Sequence, residues 1–342
     1  MKLRASTPLL MAALLAGAVF SVGCGSAITV TRLAPAEINL AGVKRVAITQ
    51  IGGRDGDSLA TMVSQRIVDS KRYELVERAE MDKIASEHRG ALDAAFEQNQ
   101  GVEIGKLLPA AAIISGSVSE SKTDDHVTSS SSTCSRTMNG KSFNYPCTRY
   151  KRTAKARFVA NLRVFDTNTS RVLVQRRLQA ERSNETSATD GDPDTIDGDA
   201  MLEACRNEVA DKFLKMIAPY PVQEKVSLEE DGELPELKQG NEYLKRGDTA
   251  TALEFYTKAV AKADANAGMK PDSKGRAHYS FGLGKAMIGD YETALTELRT
   301  AGTLKQEKGW TDLEMRVRVW KSDADKVASQ MKDAAGSEPP QQ

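Results

Sequence analysis

Between Ala154 and Val164 the chain alternates. Ala154, Ala156, Phe158, Ala160, Leu162 and Val164 fall on one side, and Lys155, Arg157, Asn161 and Arg163 on the other. A period of two marks a strand with one face buried, so this segment commits its domain to a sheet that must be covered. A second strand follows at once. Val172, Val174, Leu178 and Ala180 share a face, with Arg176 the exception, and Asp166-Thr167-Asn168-Thr169-Ser170 supplies the turn. The cover comes next: residues 200–217 read as a helix with Leu202, Cys205, Val209, Phe213, Met216 and Ile217 on one stripe. Cys205 belongs to that stripe and reads as a buried thiol. Pro219 and Pro221 end the helix and the domain.

Upstream, residues 43–51 form an apolar strand that ends in Gly52-Gly53. Ser58 then caps a helix carrying Leu59, Met62, Val63 and Ile67 on one face. Residues 73–76 read as a second strand, 78–88 and 92–108 as helix, and 110–118 as a third strand, apolar on both faces at first. Residues 119–152 read as a polar excursion, with the run Ser129 to Ser132 as a mobile loop tip. Asn139-Gly140 marks a hairpin turn inside it, and two registers compete. With Asn139-Gly140 as the turn, Cys134 faces Tyr145 and Cys147 faces Ser132. With Gly140-Lys141 as the turn, Cys134 faces Cys147, but Pro146 then takes a hydrogen-bonded position without an N–H to give. The expectation is a disulfide between Cys134 and Cys147, which would order a segment with little core of its own.

The N-terminus adds a compartment. Lys2 and Arg4 precede a run from Leu9 to Val22 that is apolar and too short for a membrane span, so residues 1–23 read as an export signal. Ser21-Val22-Gly23-Cys24 resembles a bacterial lipobox, although the aliphatic residue usual three before the cysteine is Ser21 here. The resemblance implies a lipid on Cys24, and Gly25 after it implies an outer-membrane address on the periplasmic side. Residues 24–42 read as a structureless tether with a reach of about 60 Å, at roughly 3.5 Å per residue. Formal net charge is zero, which gives no field for nucleic acid. Locally the charge is uneven: residues 151–182 carry nine basic and two acidic side chains, and residues 183–236 carry fifteen acidic and four basic.

The order strand, helix, strand, helix, strand, excursion, hairpin, helix resembles the CsgG family of curli production proteins. Arg72-Tyr73-Glu74-Leu75-Val76-Glu77-Arg78 is similar to that family's strand leading into a helix. Ala112-Ile113-Ile114-Ser115-Gly116-Ser117-Val118 is similar to its glycine-bearing strand, and Ala160-Asn161-Leu162-Arg163-Val164-Phe165-Asp166 to its hairpin. The resemblance implies an α+β domain, a mixed sheet with helices, over residues 43–220. The family includes an outer-membrane pore and lipoprotein activators of peptidoglycan synthases. A pore needs lipid-facing strands of about 9–11 residues. The arm from Ser121 to His126 has no apolar face, and Arg149 and Lys151 continue the face begun by Phe143 and Tyr145. The expectation is therefore no transmembrane barrel.

After a linker at residues 221–234, residues 235–332 resemble tetratricopeptide repeats, which implies an all-α domain. Gly240, Gly247-Asp248, Ala252, Tyr256 and Ala259 recur as Gly282, Gly289-Asp290, Ala294, Leu298 and Ala301. Small residues let paired helices approach, while Tyr256 and Leu298 fill the gap. The lysine that some members use to clamp a carboxylate is Leu237 here. Residues 311–331 read as a third helical segment, with Leu313, Val317, Trp320 and Val327 covering the open end. Residues 333–342 read as a disordered tail.

Chemistry for an enzyme is missing from the pattern. His88, His126 and His278 lie far apart and none stands near a candidate nucleophile or at metal-ligand spacing. No cofactor is expected. The reading that remains is a non-enzymatic, lipid-anchored envelope protein that recruits other envelope or secretion proteins through the helical module's groove. The alternatives are an oligomeric secretion pore and an activator of cell-wall synthesis; self-association stays open.

Overall fold

The computed structural model describes residues 26–76, 112–167 and 171–335, with side chains to 332. The helices read at 78–88 and 92–108, Cys24 and the tail beyond 335 lie outside the described residues. The chain divides into two compact units: Thr31–Glu224 with the chain from Met315 on, and Lys225–Glu314 with the chain up to Val30. The contiguous boundaries read from the sequence are thus interleaved.

The first unit is built on a five-stranded sheet. Its strands are β2 (Arg45–Gly52), β3 (Glu74–Val76), β4 (Ala112–Met138), β5 (Lys141–Asp166) and β6 (Val172–Thr189), in the order β3-β2-β4-β5-β6. β2 runs parallel to β3 and β4, while β4, β5 and β6 are antiparallel. Helices α1 (Gly56–Ser70) and α2 (Gly198–Ile217) cover one face. Leu59, Val63 and Ile67 of α1 and all six residues of the predicted α2 stripe are buried there against Ile114, Phe158, Leu162 and Val164. Each such side chain contributes about 1.5–3 kcal/mol through burial. Arg66 of α1 ties the helices together through Asp211 and Asn207 of α2, each at 2.8 Å. The Tyr73 hydroxyl donates to the Ile217 carbonyl at 2.5 Å, and burial, against the pull of Arg72, pushes its pKa up to about 12.

Five local expectations change. Helix α1 starts at Gly56, ahead of Ser58, because a side chain at Gly56 would strike the Ile51 carbonyl and only glycine allows the close turn. The expected tether contains a strand, β1 (Ala27–Ala34), which pairs with β7 (Tyr220–Ser227) in the expected linker. Beyond β1, Ile38 donates its N–H to the Met216 carbonyl at 2.8 Å, and Leu40 is buried. Val172 leaves the face of Val174, because the pairing shifts between Val164 and Phe165, and is 49% exposed. The largest change is the excursion. Residues 119–138 continue β4 and residues 141–152 begin β5, so the serine run is strand and not loop.

The second unit holds two helix pairs: α3 (Pro235–Lys245) with α4 (Thr249–Ala265), and α5 (Pro271–Met287) with α6 (Tyr291–Leu304). The pairs repeat the same devices. Gly247 and Gly289 both have φ of 83°, and Asp248 and Asp290 cap the next helix by accepting from Thr251 and Thr293 N–H at 3.0 and 3.3 Å. A Cβ on Gly240 would lie 2.5 Å from the Tyr256 ring, and one on Gly282 would lie 3.0 Å from Leu298. Helix α7 (Lys308–Ala335) begins in this unit, where Trp310 is buried against Gly275 and Leu313 is buried as well. Farther along α7, Val317 and Trp320 belong to the first unit. There the Trp320 indole donates to Glu224 at 3.2 Å.

Candidate interaction site

The sheet does not stop where its helices stop. β4 pairs with β2 only as far as Ser117 and then follows β5 to the turn at Asn139-Gly140. Helix α2 begins beside Thr123, where Gly198 meets that side chain. Beyond that level β4, β5 and β6 continue as an arm, and from Val127 to Met138 it extends about 37 Å at a rise of about 3.4 Å per residue. β6 leaves the arm at Thr189, opposite Arg149, so the last part is two-stranded. At the arm's base Ser119 forms a bulge, Asp55 receives a short hydrogen bond from Ser121, and Arg206 of α2 pairs with Asp55 at 3.1 Å.

The turn resolves the competing registers. Asn139 and Gly140 have φ of 49° and 73°, the mirror-image turn that suits a two-residue hairpin. Cys134 therefore faces Tyr145 and Cys147 faces Ser132. The two cysteines are nonetheless joined, as diagonal neighbours with Cα atoms 5.8 Å apart. In this register Pro146 faces Thr133 at a non-hydrogen-bonded pair, and β6 has already ended, so its missing N–H costs no ladder bond. Cys205, by contrast, is a buried free thiol whose pKa burial raises.

Neither face of the arm is continuously apolar. One carries Ser129, Ser131, Thr133, Ser135 and Thr137 opposite Tyr150, Thr148, Pro146, Asn144 and Ser142. The other begins with ion pairs. Arg157 bridges Glu120 and Glu181 at 3.1 and 3.2 Å, and Lys151 meets Glu185 at 2.8 Å. The hydrogen bonds from Lys122 and Lys151 hold the Glu120 and Glu185 carboxyls below their ordinary range. Lys122, Arg157, Glu181 and Glu185 line a trough of about 840 Å³ with Lys155 and His126. Farther out, the same face carries Arg149, the disulfide, Tyr145, Phe143, Arg136, Met138 and Lys141.

The helical unit has a second surface, and the chain itself fills it. Residues 227–231 lie along the inner residues of α3 and α5. Tyr279 donates to the Ser227 carbonyl at 2.9 Å, Asn241 to the Glu229 carbonyl at 2.9 Å and Arg276 to the Glu230 carbonyl at 2.7 Å. The Trp310 indole donates to the Glu229 carboxylate at 3.2 Å, and Arg276 pairs with it at 3.3 Å. Asn241 also accepts from the Tyr256 hydroxyl at 2.7 Å. The sequence reading placed this segment in a linker, since no periodicity betrays a strap held by its backbone carbonyls. His278 lies between Glu297 and Asp264, at 2.6 and 3.2 Å, with both ring nitrogens occupied. Among the described residues no group of His, Cys, Asp and Glu is arranged to hold a metal, and no helix is long and apolar enough to cross a membrane.

Sheet order, helix cover and arm define a mixed α+β domain of the kind built on a β-hairpin extension. Residues 40–192 match the family model described as curli production assembly/transport component CsgG, so a CsgG-family domain occupies that part of the chain. Among solved structures, a variant PelC dodecamer from Paraburkholderia phytofirmans is 14% identical, with a TM-score of 0.25, covering 56% of this chain and 97% of that one. A second PelC dodecamer from the same organism is 12% identical, with a TM-score of 0.24 and coverage of 56% and 98%. The hypothetical protein CT253 from Chlamydia trachomatis is 16% identical, with a TM-score of 0.25 and coverage of 41% and 73%. No curated protein matches the sequence.

Proposed function

We propose that the protein is a non-catalytic component of the bacterial envelope, anchored by a lipid on Cys24 to the periplasmic side of the outer membrane. Its CsgG-family domain acts as a scaffold, and its tetratricopeptide-like unit recruits a protein partner. The observation that carries this reading is the strap at residues 227–231. Asn241, Arg276, Tyr279 and Trp310 hold an extended, acidic stretch of chain, chiefly through its carbonyls. A surface that binds one such segment suits another, so the partner supplies an extended acidic segment that competes with the strap. In-cell photocrosslinking from Lys274, followed by mass spectrometry, tests this. Crosslinks to an envelope protein that disappear with Arg276→Glu support it, and crosslinks only within the chain sink it.

A secretion pore is the second reading, favoured by strand length. β4, β5 and β6 have 27, 26 and 18 residues, and a membrane-spanning strand needs about 9–11. The chemistry opposes it. The hydroxyl face offers lipid little that is apolar beyond Val127, Pro146 and the Tyr150 ring, and Arg149 or Lys151 facing lipid at the midplane costs about 2–4 kcal/mol. The scaffold reading expects no conductance from the lipidated protein in planar bilayers; steady single-channel steps would reverse the ranking.

A further inference from the structure

From His126 to Phe165 the chain has no acidic residue and eight Arg or Lys. Near the base of the arm these cations are compensated from elsewhere: Arg152 by Asp125 at 2.6 Å, Lys151 by Glu185, and Arg157 by Glu120 and Glu181. At the tip they are not. Arg136, Lys141 and Arg149 have no acidic partner among the described residues, and all three project from one face. Between them on that face stand Met138 and Phe143, each 54% exposed, and Tyr145, 37% exposed. The opposite face at this level carries hydroxyls, Asn144 and Pro146. Three large apolar side chains in one patch are unusual on a solvated hairpin and mark a contact surface.

We propose that this face of the arm tip seats on the surface of an anionic phospholipid bilayer, lying in its interface without crossing it. The chemistry matches on three counts. Phe and Tyr favour the headgroup level, the flanking Arg and Lys reach lipid phosphates while their stems lie along apolar surface, and the face lacks the acids that such a membrane would repel. Size argues against a protein in this place. A two-stranded face of six side chains falls well below the roughly 800 Å² per partner of a stable protein interface, whereas a bilayer needs no matching shape. The disulfide Cys134–Cys147 lies on the same face, between Arg149 and Tyr145, and ties the two strands together there.

The experiment uses the chain from Ser26 onward, which keeps every described residue and lacks Cys24, so its result is independent of the lipid anchor. Sedimentation is measured with vesicles of phosphatidylglycerol and phosphatidylcholine in equal parts, and with phosphatidylcholine alone. Binding is expected only to the anionic vesicles, weakening with salt. Replacing Arg136, Lys141 and Arg149 by Gln lowers it about 100-fold, from a factor of roughly 5 for each basic side chain near an anionic surface. Met138→Ser with Phe143→Ser lowers it at least 10-fold, and the indole introduced by Phe143→Trp shifts its emission to the blue on binding. All these positions are exposed, so the fold tolerates each change. Absence of binding to anionic vesicles overturns the proposal. So does undiminished binding by either variant set, an unshifted indole, or heparin capture that the serine variant leaves intact while vesicle binding is missing.

Discussion

Glu224 on β7 shows how a single residue holds distant parts of the first unit together. It accepts from Arg32 of β1 at 2.8 Å, from Arg316 of α7 at 2.8 Å and from the Trp320 indole. Burial disfavours its charge, but the hydrogen bonds from Arg32 and Arg316 prevail and keep its carboxyl below the ordinary range. A depressed carboxyl pKa stabilises the fold above the unfolded value, about 4.3, and that contribution is lost as pH falls through the folded value. Glu224→Gln is therefore expected to lower stability by about 1–3 kcal/mol near neutrality in urea melts. The gap between variant and wild type should narrow below about pH 4; a gap constant to pH 3 would contradict the assignment. The glycines give a contrasting pair. Gly240→Ala drives a methyl into the Tyr256 ring, whose hydroxyl is fixed by Asn241, at a cost of about 1–3 kcal/mol. Gly302→Ala, late in α6 with nothing within 4 Å of its new Cβ, is expected to raise stability by roughly 0.5 kcal/mol. Thermal melts read both signs.

Among the elements, the arm separates what sequence patterns convey from what they do not. The strands that line the core were legible because burial imposes the alternation on Ala154 to Val164. The α2 stripe was legible for the same reason, and so were the repeated Gly-Asp caps of α4 and α6. Past Asp125 both faces of the arm are largely exposed, so no alternation is imposed and the serine run looks like a loop. Its strand character rests on backbone pairing with β5, which leaves no mark on composition. β1 was missed because its partner lies in β7, nearly two hundred residues away. The strap was missed because its carbonyls, common to every residue type, make most of its bonds. The disulfide is the arm's main covalent support. Closing its loop is worth about 3 kcal/mol in the chain-entropy model. With Cys134→Ser and Cys147→Ser together, amides from Ser130 to Arg149 should exchange faster while those of α2 and β2 keep their protection. Loss of protection throughout the first unit would show that the tip matters to the core.

At the scale of the whole molecule, the outstanding prediction is the anchor. A fatty-acid probe should label the wild type in cells and not Cys24→Ala; equal labelling of both would end that reading. The strand β1 gives the anchor a mechanical meaning. Only Gly25 and Ser26 separate Cys24 from Ala27, a span of about 10 Å at roughly 3.5 Å per residue. At the near end of β1 the Ser26 carbonyl accepts from Leu228 at 2.7 Å, just past β7. A lipid on Cys24 would thus act as a rivet rather than a leash. Any tug between membrane and protein would then pass into β1 with almost no slack, and β1 could not yield without peeling away from β7. With so little rope, such a molecule would not roam the periplasm in search of its partner, which would have to come to the bilayer's edge to meet it.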